Sequence, residues 1–180
     1  MIAAIRCPPA FLRHVLMTSV VLVSAACTQP AAPTTTACVA PACVDLPLAR
    51  FRADELASVG ANGWDDAATV VVRDRDTWQA TWNKMHERLA GPRPPLPTVD
   101  FSTEMVVVIA LGARSNSGFG VTITRASEAD GVITVDALST GPGPGCITAQ
   151  VITYPIDVVR LPRRNSAVYF RVGPGVTSCR

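Results

Sequence analysis

The chain has 180 residues, with 16 lysines and arginines against 14 acidic residues and a formal net charge of +2 at pH 7. The first 26 residues contain Arg6 and Arg13 and no acid, so the remaining chain is neutral. A neutral chain without a basic patch excludes nucleic acid as the main partner, and a hydrophobic share of 48% excludes a highly charged, disordered chain.

Residues 1–26 have the pattern of a bacterial signal peptide. Arg6 and Arg13 form its positive start, and an apolar run follows over residues 15–26. This run is too short for a permanent membrane span, which needs about 20 apolar residues. We therefore predict that the segment directs export and is then removed.

Small residues precede Cys27, and this order is similar to the lipobox of bacterial lipoproteins, in which the cysteine is acylated, for example with palmitate. Ser24 stands where the lipobox usually has Leu or Val, and residues 24–26 also suit an ordinary signal peptidase. We expect a lipoprotein of the cell envelope, attached to the outer membrane or on the periplasmic face through lipid on Cys27. A soluble periplasmic protein is the alternative.

The other cysteines also fit an exported protein. Acylation of Cys27 leaves four cysteines for disulfides in an oxidising compartment: Cys38, Cys43, Cys146 and Cys179. Four cysteines allow three sets of two disulfides. We favour the set in which Cys38–Cys43 closes a small loop and Cys146–Cys179 ties the C-terminal segment to the domain. The cysteines lack the CxxC spacing and nearby histidines of a zinc site, so neither a metal nor a cofactor is expected.

Residues 27–50 are rich in proline, alanine and threonine. This composition predicts a flexible, lipid-anchored tether, followed by one folded domain over residues 51–180. A disordered tail without a tethering role fits the composition equally well.

The first predicted elements of the domain are a strand over residues 68–72 and a helix. Asp76 and Gln79 form a variant capping box at the start of the helix, and Gly91 ends it. His86 is expected on its solvent-facing side. An apolar stripe with helical spacing is expected to pack on a sheet: Trp78, Trp82, Met85 and Leu89.

From residue 105 the pattern is that of β-strands. The continuous apolar run over 105–111 is typical of a central strand covered on both faces, and alternation on both sides of Asp130-Gly131 predicts a hairpin. Further strands are predicted at 147–153, 156–161 and 168–172. The predicted fold is an α+β domain with one antiparallel sheet of about five to seven strands and one main helix packed on it.

Residues suited to catalysis are scarce. His86 is the one histidine and Lys84 the one lysine after the signal peptide, and no P-loop or dinucleotide motif is present. The paired aspartates lie at turn or cap positions, and the cationic run 160–164 is interpreted as a solvated loop. We therefore predict that the protein is not an enzyme.

Four segments, taken together, are similar to a known family. Residues 111–121 resemble a strand, a G-x-R loop and an S/T-G-G-Y-type turn, and residues 152–156 resemble a T-x-P-y element. Segments 76–82 and 95–101 lie upstream. In this order they resemble the PrcB C-terminal domain family of bacterial exported proteins and lipoproteins, although Phe119 replaces the usual tyrosine.

The resemblance implies an accessory protein of a bacterial surface protease complex. We predict a non-enzymatic protein-binding module that assists or stabilises such a complex, with an envelope protein, for example a protease, as partner. A periplasmic protease inhibitor that uses the 114–120 and 141–146 loops is the alternative. Glycines 118 and 120 are expected to allow positive φ. The partner-binding candidates are Arg114, Asn116, Ser117, Gly118, Phe119 and Gly120, and the oligomeric state is left open.

Overall fold

The computed structural model describes residues 43–178, which form two four-stranded β-sheets and one α-helix. The predicted signal peptide, Cys27, Cys38 and Cys179 lie outside the described residues. The helix α1 spans Arg75–Met85, and a 3-10 turn spans Val59–Ala61. In chain order the strands are β1 (Cys43–Leu46), β2 (Ala49–Arg50), β3 (Ala68–Val72), β4 (Glu104–Ala110), β5 (Gly120–Ala129), β6 (Val132–Pro142), β7 (Ile156–Pro162) and β8 (Ala167–Thr177).

The two sheets have different strand arrangements. The first sheet has the order β1-β5-β6-β8, and its β6 and β8 run parallel. The second sheet has the order β2-β7-β4-β3 and is antiparallel throughout. The chain passes from β6 in the first sheet to β7 in the second and returns to the first with β8.

The predicted α+β fold class is wrong, because the domain is mostly β and has eight strands in two sheets instead of one antiparallel sheet of five to seven strands. The predicted helix is present but short, and it packs on the second sheet. The physical reason lies in what hydrophobic periodicity reports. It shows how many faces of a strand are buried, but not which strands are hydrogen-bonded neighbours. The sequence therefore predicted the β5–β6 hairpin and strand β4, but it did not predict that they lie in different sheets.

Strand β4 divides its side chains between two hydrophobic cores. Met105, Val107 and Ile109 face the first sheet and pack with inward side chains of β5 and β6. Val106 and Val108 face the helix and pack with its two tryptophans. The continuous apolar run of β4 is thus explained by burial on both faces, as the sequence predicts.

The start of α1 differs from the prediction by two residues. Asp74 caps the helix instead of Asp76: its Oδ1 accepts from the Thr77 N–H at 2.7 Å, and its Oδ2 accepts from the Thr77 hydroxyl at 2.8 Å. These hydrogen bonds to the charged form lower the pKa of Asp74 below its ordinary value. Asp76 instead lies in the first turn.

The end of α1 also differs, because the helix stops at Met85 and does not continue to Gly91. The Arg88 N–H donates to the Ala61 carbonyl at 2.9 Å and therefore bonds outside the helix. Leu89, the last predicted member of the apolar stripe, consequently lies outside the helix.

The tryptophans of α1 pack on the second sheet and also hold the proline-rich segment that follows the helix. Trp78 Nε1 donates to the Pro97 carbonyl at 3.0 Å, and Trp82 Nε1 donates to the Pro94 carbonyl at 3.1 Å. Both indole donors are therefore satisfied within the domain, as buried tryptophans require.

Residues 147–153 do not form the predicted strand. Thr153 makes an isolated bridge to Arg114, and the side chain of Ile147 is fully exposed. Their main-chain bonds go to the loop before β5 rather than to a neighbouring strand, as the Ser117 N–H to Ala149 carbonyl bond of 3.0 Å shows. An apolar run alone does not show whether a ladder partner is available.

The boundary of the folded domain lies earlier than composition indicates. Residues 43–50, predicted as part of the tether, contain β1, which pairs with β5, and β2, which pairs with β7. Leu46 of β1 is buried in the core between the sheets. Of the helices within residues 43–178, none has the length and apolarity needed to cross a bilayer.

Candidate functional site

The two loops predicted to bind a partner lie at the same end of the first sheet. Gly120, at the start of β5, pairs with Thr140 near the end of β6. Cys43, where the described chain begins, pairs with Ala129 at the other end of β5. The loops are therefore roughly 30 Å along the strands from the point where the chain enters the domain.

The 114–120 loop is hydrogen-bonded to the segment that follows Cys146. Arg114 and Thr153 exchange two main-chain hydrogen bonds of 2.8 and 2.9 Å. The Thr153 hydroxyl donates to the Asn116 carbonyl at 2.8 Å, and the Ala149 N–H donates to the Ser117 hydroxyl at 3.0 Å. These bonds join two segments that are distant in sequence into one surface.

The glycines of this loop are needed for space and not for positive φ, so that expectation is wrong. Neither Gly118 nor Gly120 is among the glycines with positive φ. A Cβ at Gly118 would lie 2.7 Å from the Thr148 methyl carbon and 2.8 Å from the Pro142 Cβ. The loop can approach its neighbours this closely because position 118 has no side chain.

Arg114 carries a positive charge at one side of this surface. Its Nη1 donates to the Ala113 carbonyl at 3.3 Å, and its guanidinium carbon lies 5.9 Å from the centre of the Phe119 ring. Among residues 43–178, Arg114 makes no ion pair with a carboxylate. A half-buried guanidinium in this state can accept an anionic group from a partner.

A groove that the sequence did not indicate opens beside Arg114. It has a volume of about 470 Å³ and lies between the start of β3, the end of β4, β6 and the second half of β8. Its lining is mainly apolar and includes Thr69, Ile109, Leu111, Arg114, Val172 and Pro174. With Ser139 of β6, the lining residues come from four distant parts of the chain and share no motif, so sequence patterns could not bring them together.

Two of the cysteines predicted to form disulfides lie within the described residues. Cys43 and Cys146 are each disulfide-bonded. They lie at opposite ends of the first sheet, so they are not bonded to each other. The Cys146 sulfur is 3.5 Å from the Thr177 carbonyl oxygen, next to the end of β8. The pairings Cys38–Cys43 and Cys146–Cys179 stay predictions.

His86 is fully buried, and the prediction that it faces solvent is wrong. Its Nδ1 lies 3.0 Å from the Trp82 carbonyl oxygen and its Nε2 lies 2.9 Å from the Ala57 carbonyl oxygen. Both ring nitrogens are thus occupied by main-chain groups and have no access to a substrate. Within residues 43–178, no three His, Cys, Asp or Glu side chains are grouped as a metal site would need.

The cationic run 160–164 is also less solvated than predicted. Arg163 Nη1 donates to the Phe101 carbonyl at 2.8 Å, and Arg164 pairs with Glu128 at 3.0 Å. A hydrogen bond from Ser166, together with Arg164, lowers the pKa of Glu128 below its ordinary value. These arginines join neighbouring segments of the domain and do not form a free cationic surface.

The matched family covers the part of the chain that builds this surface. A family model described as PrcB C-terminal matches residues 105–162. This segment contains β4, the 114–120 loop, the β5–β6 hairpin, the 141–146 loop and β7. No curated protein and no solved structure matches the chain. The family match confirms, over residues 105–162, the resemblance to the PrcB C-terminal domain family seen in the sequence motifs.

Proposed function

We propose that this chain is an exported lipoprotein whose β domain is a non-enzymatic protein-binding module that assists or stabilises a protease complex. In this proposal lipid on Cys27 attaches the protein to the cell envelope, and the 114–120 and 141–146 loops contact the partner. The match of residues 105–162 to the PrcB C-terminal family model supports the association with a protease complex.

The observation that carries the proposal is the position of the loops relative to Cys43. An attachment on the N-terminal side of Cys43 leaves the opposite end of the sheet, where both loops lie, accessible to a partner. Recognition residues are commonly placed on loops that a rigid β scaffold positions.

The chemistry of the loop end also suits protein binding. Ile147, Val151 and Ile152 expose more than half of their side chains on the segment bonded to the 114–120 loop. Arg114 is joined to this segment by its main-chain bonds to Thr153, next to Ile152, and it has no carboxylate partner in residues 43–178. Exposed apolar groups next to an arginine are the combination that protein interfaces favour.

The hydrogen bonds between the two segments reduce the cost of binding. Arg114, Asn116 and Ser117 are already held by partners in residues 149–153. A surface ordered before the partner arrives loses less conformational entropy on binding than a flexible loop.

Site-specific photo-crosslinking in intact cells tests the binding surface. We expect a photoreactive residue at Ile147 to capture an envelope protein, and the same residue at Val44, which is exposed at the other end of the first sheet, to capture none. The Arg114→Ala substitution should reduce capture from position 147 without changing thermal stability. Equal capture from both positions, or none from position 147, would contradict the proposal.

Membrane fractionation of a Cys27→Ser variant tests the lipid attachment separately. We expect the wild-type chain in the membrane fraction with a diacylglyceryl-modified Cys27 by intact mass, and the variant in the soluble fraction. A soluble, unmodified wild-type chain would instead support the periplasmic alternative.

A protease inhibitor is the second candidate function. The fully exposed Ile147 lies just before a segment held by hydrogen bonds to Ser117 and Arg114, which is the arrangement of a presented loop. An inhibitor should block at least one protease of a subtilisin-like and cysteine protease panel, and Ile147→Asp should abolish this. The Val44→Asp variant serves as the matched control. A panel that stays fully active with the wild-type protein would eliminate this candidate.

A further inference from the structure

The groove beside Arg114 exists because the second half of β8 has no strand opposite it. Val168 and Phe170 point inward and pack on the core between the sheets. Val172 and Val176 occupy the same face of the strand, because side chains alternate, but they are 43% and 73% exposed. The inward face of β8 therefore becomes increasingly uncovered toward its end.

The floor of the groove belongs to the hydrophobic core. Ile109 and Leu111 line the groove and are otherwise almost fully buried. Val172 faces them from the first sheet. An apolar side chain placed here would contact core residues on one side and cover Val172 on the other, which favours burial of an apolar ligand group.

The two walls of the groove are edge strands. β3 is the last strand of the second sheet and β8 is the last strand of the first, so each has a hydrogen-bonded neighbour on one side only within the described residues. The outer main-chain groups of such strands are suited to pair with another extended chain. An aliphatic small molecule has no groups that would pair with them.

Arg114 gives the groove a positive charge that no carboxylate of the described residues neutralises. Asp65, whose carbonyl accepts from the Ala113 N–H at 2.9 Å, has its own carboxylate paired with Arg88 at 2.8 Å. A ligand that supplies a carboxylate would therefore complement this side of the groove.

We propose that this groove binds an extended peptide segment of the partner protein, with apolar side chains on one face and one carboxylate that pairs with Arg114. The inference rests on the proposed protein-binding function and specifies the chemistry of the partner. The apolar side chains occupy the space between Val172 and Ile109, and the peptide main chain runs along an edge strand.

Selection from a random heptapeptide library displayed on phage, with the detergent-solubilised full chain as the target, tests this inference. A heptapeptide spans about 23 Å when extended, which matches the uncovered half of β8. We expect the enriched peptides to alternate apolar and polar residues and to contain Asp or Glu at a constant position. Absence of enrichment, or enriched peptides without an acid, would overturn the proposal.

Four variants locate the binding site of a synthetic copy of the enriched peptide by fluorescence anisotropy. We expect Val172→Glu to weaken binding roughly tenfold or more, because it places an anion in the apolar wall of the groove. Arg114→Gln should weaken binding to a similar extent, because it removes the charged group that pairs with the peptide carboxylate. Val132→Glu changes a valine of similar exposure, 41%, at the other end of the sheet, and should bind like wild type. Arg93→Gln removes an arginine outside the groove and should also have no effect.

The outcomes separate this inference from the proposed function. Equal binding by Val172→Glu and wild type would overturn the groove as the site, even if crosslinking from Ile147 still captures a partner. If decanoate displaces the peptide and binds more tightly than the peptide, the ligand of the groove is an aliphatic carboxylate, and the proposed peptide ligand is overturned. If the peptide binds in the groove but position 147 captures no protein in cells, the inference about the groove is supported and the proposed loop surface is contradicted.

Discussion

A single buried histidine connects two parts of the domain that are distant in sequence. The His86 ring packs against Trp82 with 4.3 Å between ring centres, and Nε2 approaches the Ala57 carbonyl oxygen at 2.9 Å. Helix α1 is thereby fixed to the segment before the 3-10 turn. The one histidine that follows the predicted signal peptide therefore has a structural role.

The His86→Ala substitution should lower the free energy of unfolding by about 2 kcal/mol, because it removes a packed ring and a hydrogen bond between that ring and a main-chain carbonyl. Urea denaturation followed by circular dichroism measures this change. Gln79→Ala, on the exposed side of the same helix, should change stability little. Equal stability of the His86 variant and wild type would show that the buried contacts contribute nothing.

The Gly118→Ala substitution should lower the free energy of unfolding by about 1 kcal/mol, because its Cβ would lie too close to Thr148 and Pro142. The matched control is Gly60→Ala, where no atom lies within 4 Å of the new Cβ. Thermal denaturation distinguishes the two variants. If both variants melt alike, the close packing of the 114–120 loop is not required.

The stability of helix α1 depends on pH through its capping residue, Asp74. The pKa of Asp74 is lowered by its bonds to Thr77, so the stability it contributes is complete above the pKa of the unfolded chain, about 3.9. This contribution is lost as the pH falls through the lower pKa of the folded state.

The Asp74→Ala substitution should therefore lower the melting temperature at pH 6, and the difference from wild type should shrink as the pH approaches 2. Asp76→Ala, which leaves the cap bonds intact, should have a much smaller effect at pH 6. A scanning calorimetry series from pH 2 to pH 6 checks both. A difference that is independent of pH would contradict the role of the carboxylate.

The elements that could be predicted are those specified by local signals. The strand at 68–72 and the turn at Asp130-Gly131, with φ of 50° and 73°, follow from β-branched residues and turn chemistry. Pairings between distant segments could not be predicted, and the parallel β6–β8 ladder is an example. Residues 147–153 were predicted wrongly because an apolar run does not show whether a strand has a neighbour.

The same division applies to the candidate site. Its loop residues were predicted from a local resemblance, and the structure brings them together with residues 149–153. The groove depends on the arrangement of two sheets, so its lining residues Val172 and Thr69 carry no signal in the sequence. Local motifs thus indicated one part of the surface, while tertiary packing created the other.

At the scale of the whole molecule, the two hydrophobic cores share strand β4. Val107 belongs to the core between the sheets and Val108 to the core under the helix, although they are adjacent in sequence. A change in one core therefore acts on the strand that supports the other. This arrangement predicts that the domain unfolds as one cooperative unit.

The Val107→Ala substitution tests this cooperativity, because all three tryptophans lie with the other core. We expect a loss of about 2 kcal/mol in the free energy of unfolding. Tryptophan fluorescence and far-ultraviolet circular dichroism should give the same shifted midpoint. Separate midpoints for the two signals would show that the cores unfold independently.

The return of the chain to the first sheet through β8 has a consequence for how the protein matures. Residues 167–177 leave the ribosome after β1 to β7, and they pair with residues 132–142 over the full length of both strands. Before they arrive, one wall of the groove is missing. A nascent or truncated chain therefore lacks the groove, so that any ligand of the groove would distinguish finished molecules from incomplete ones.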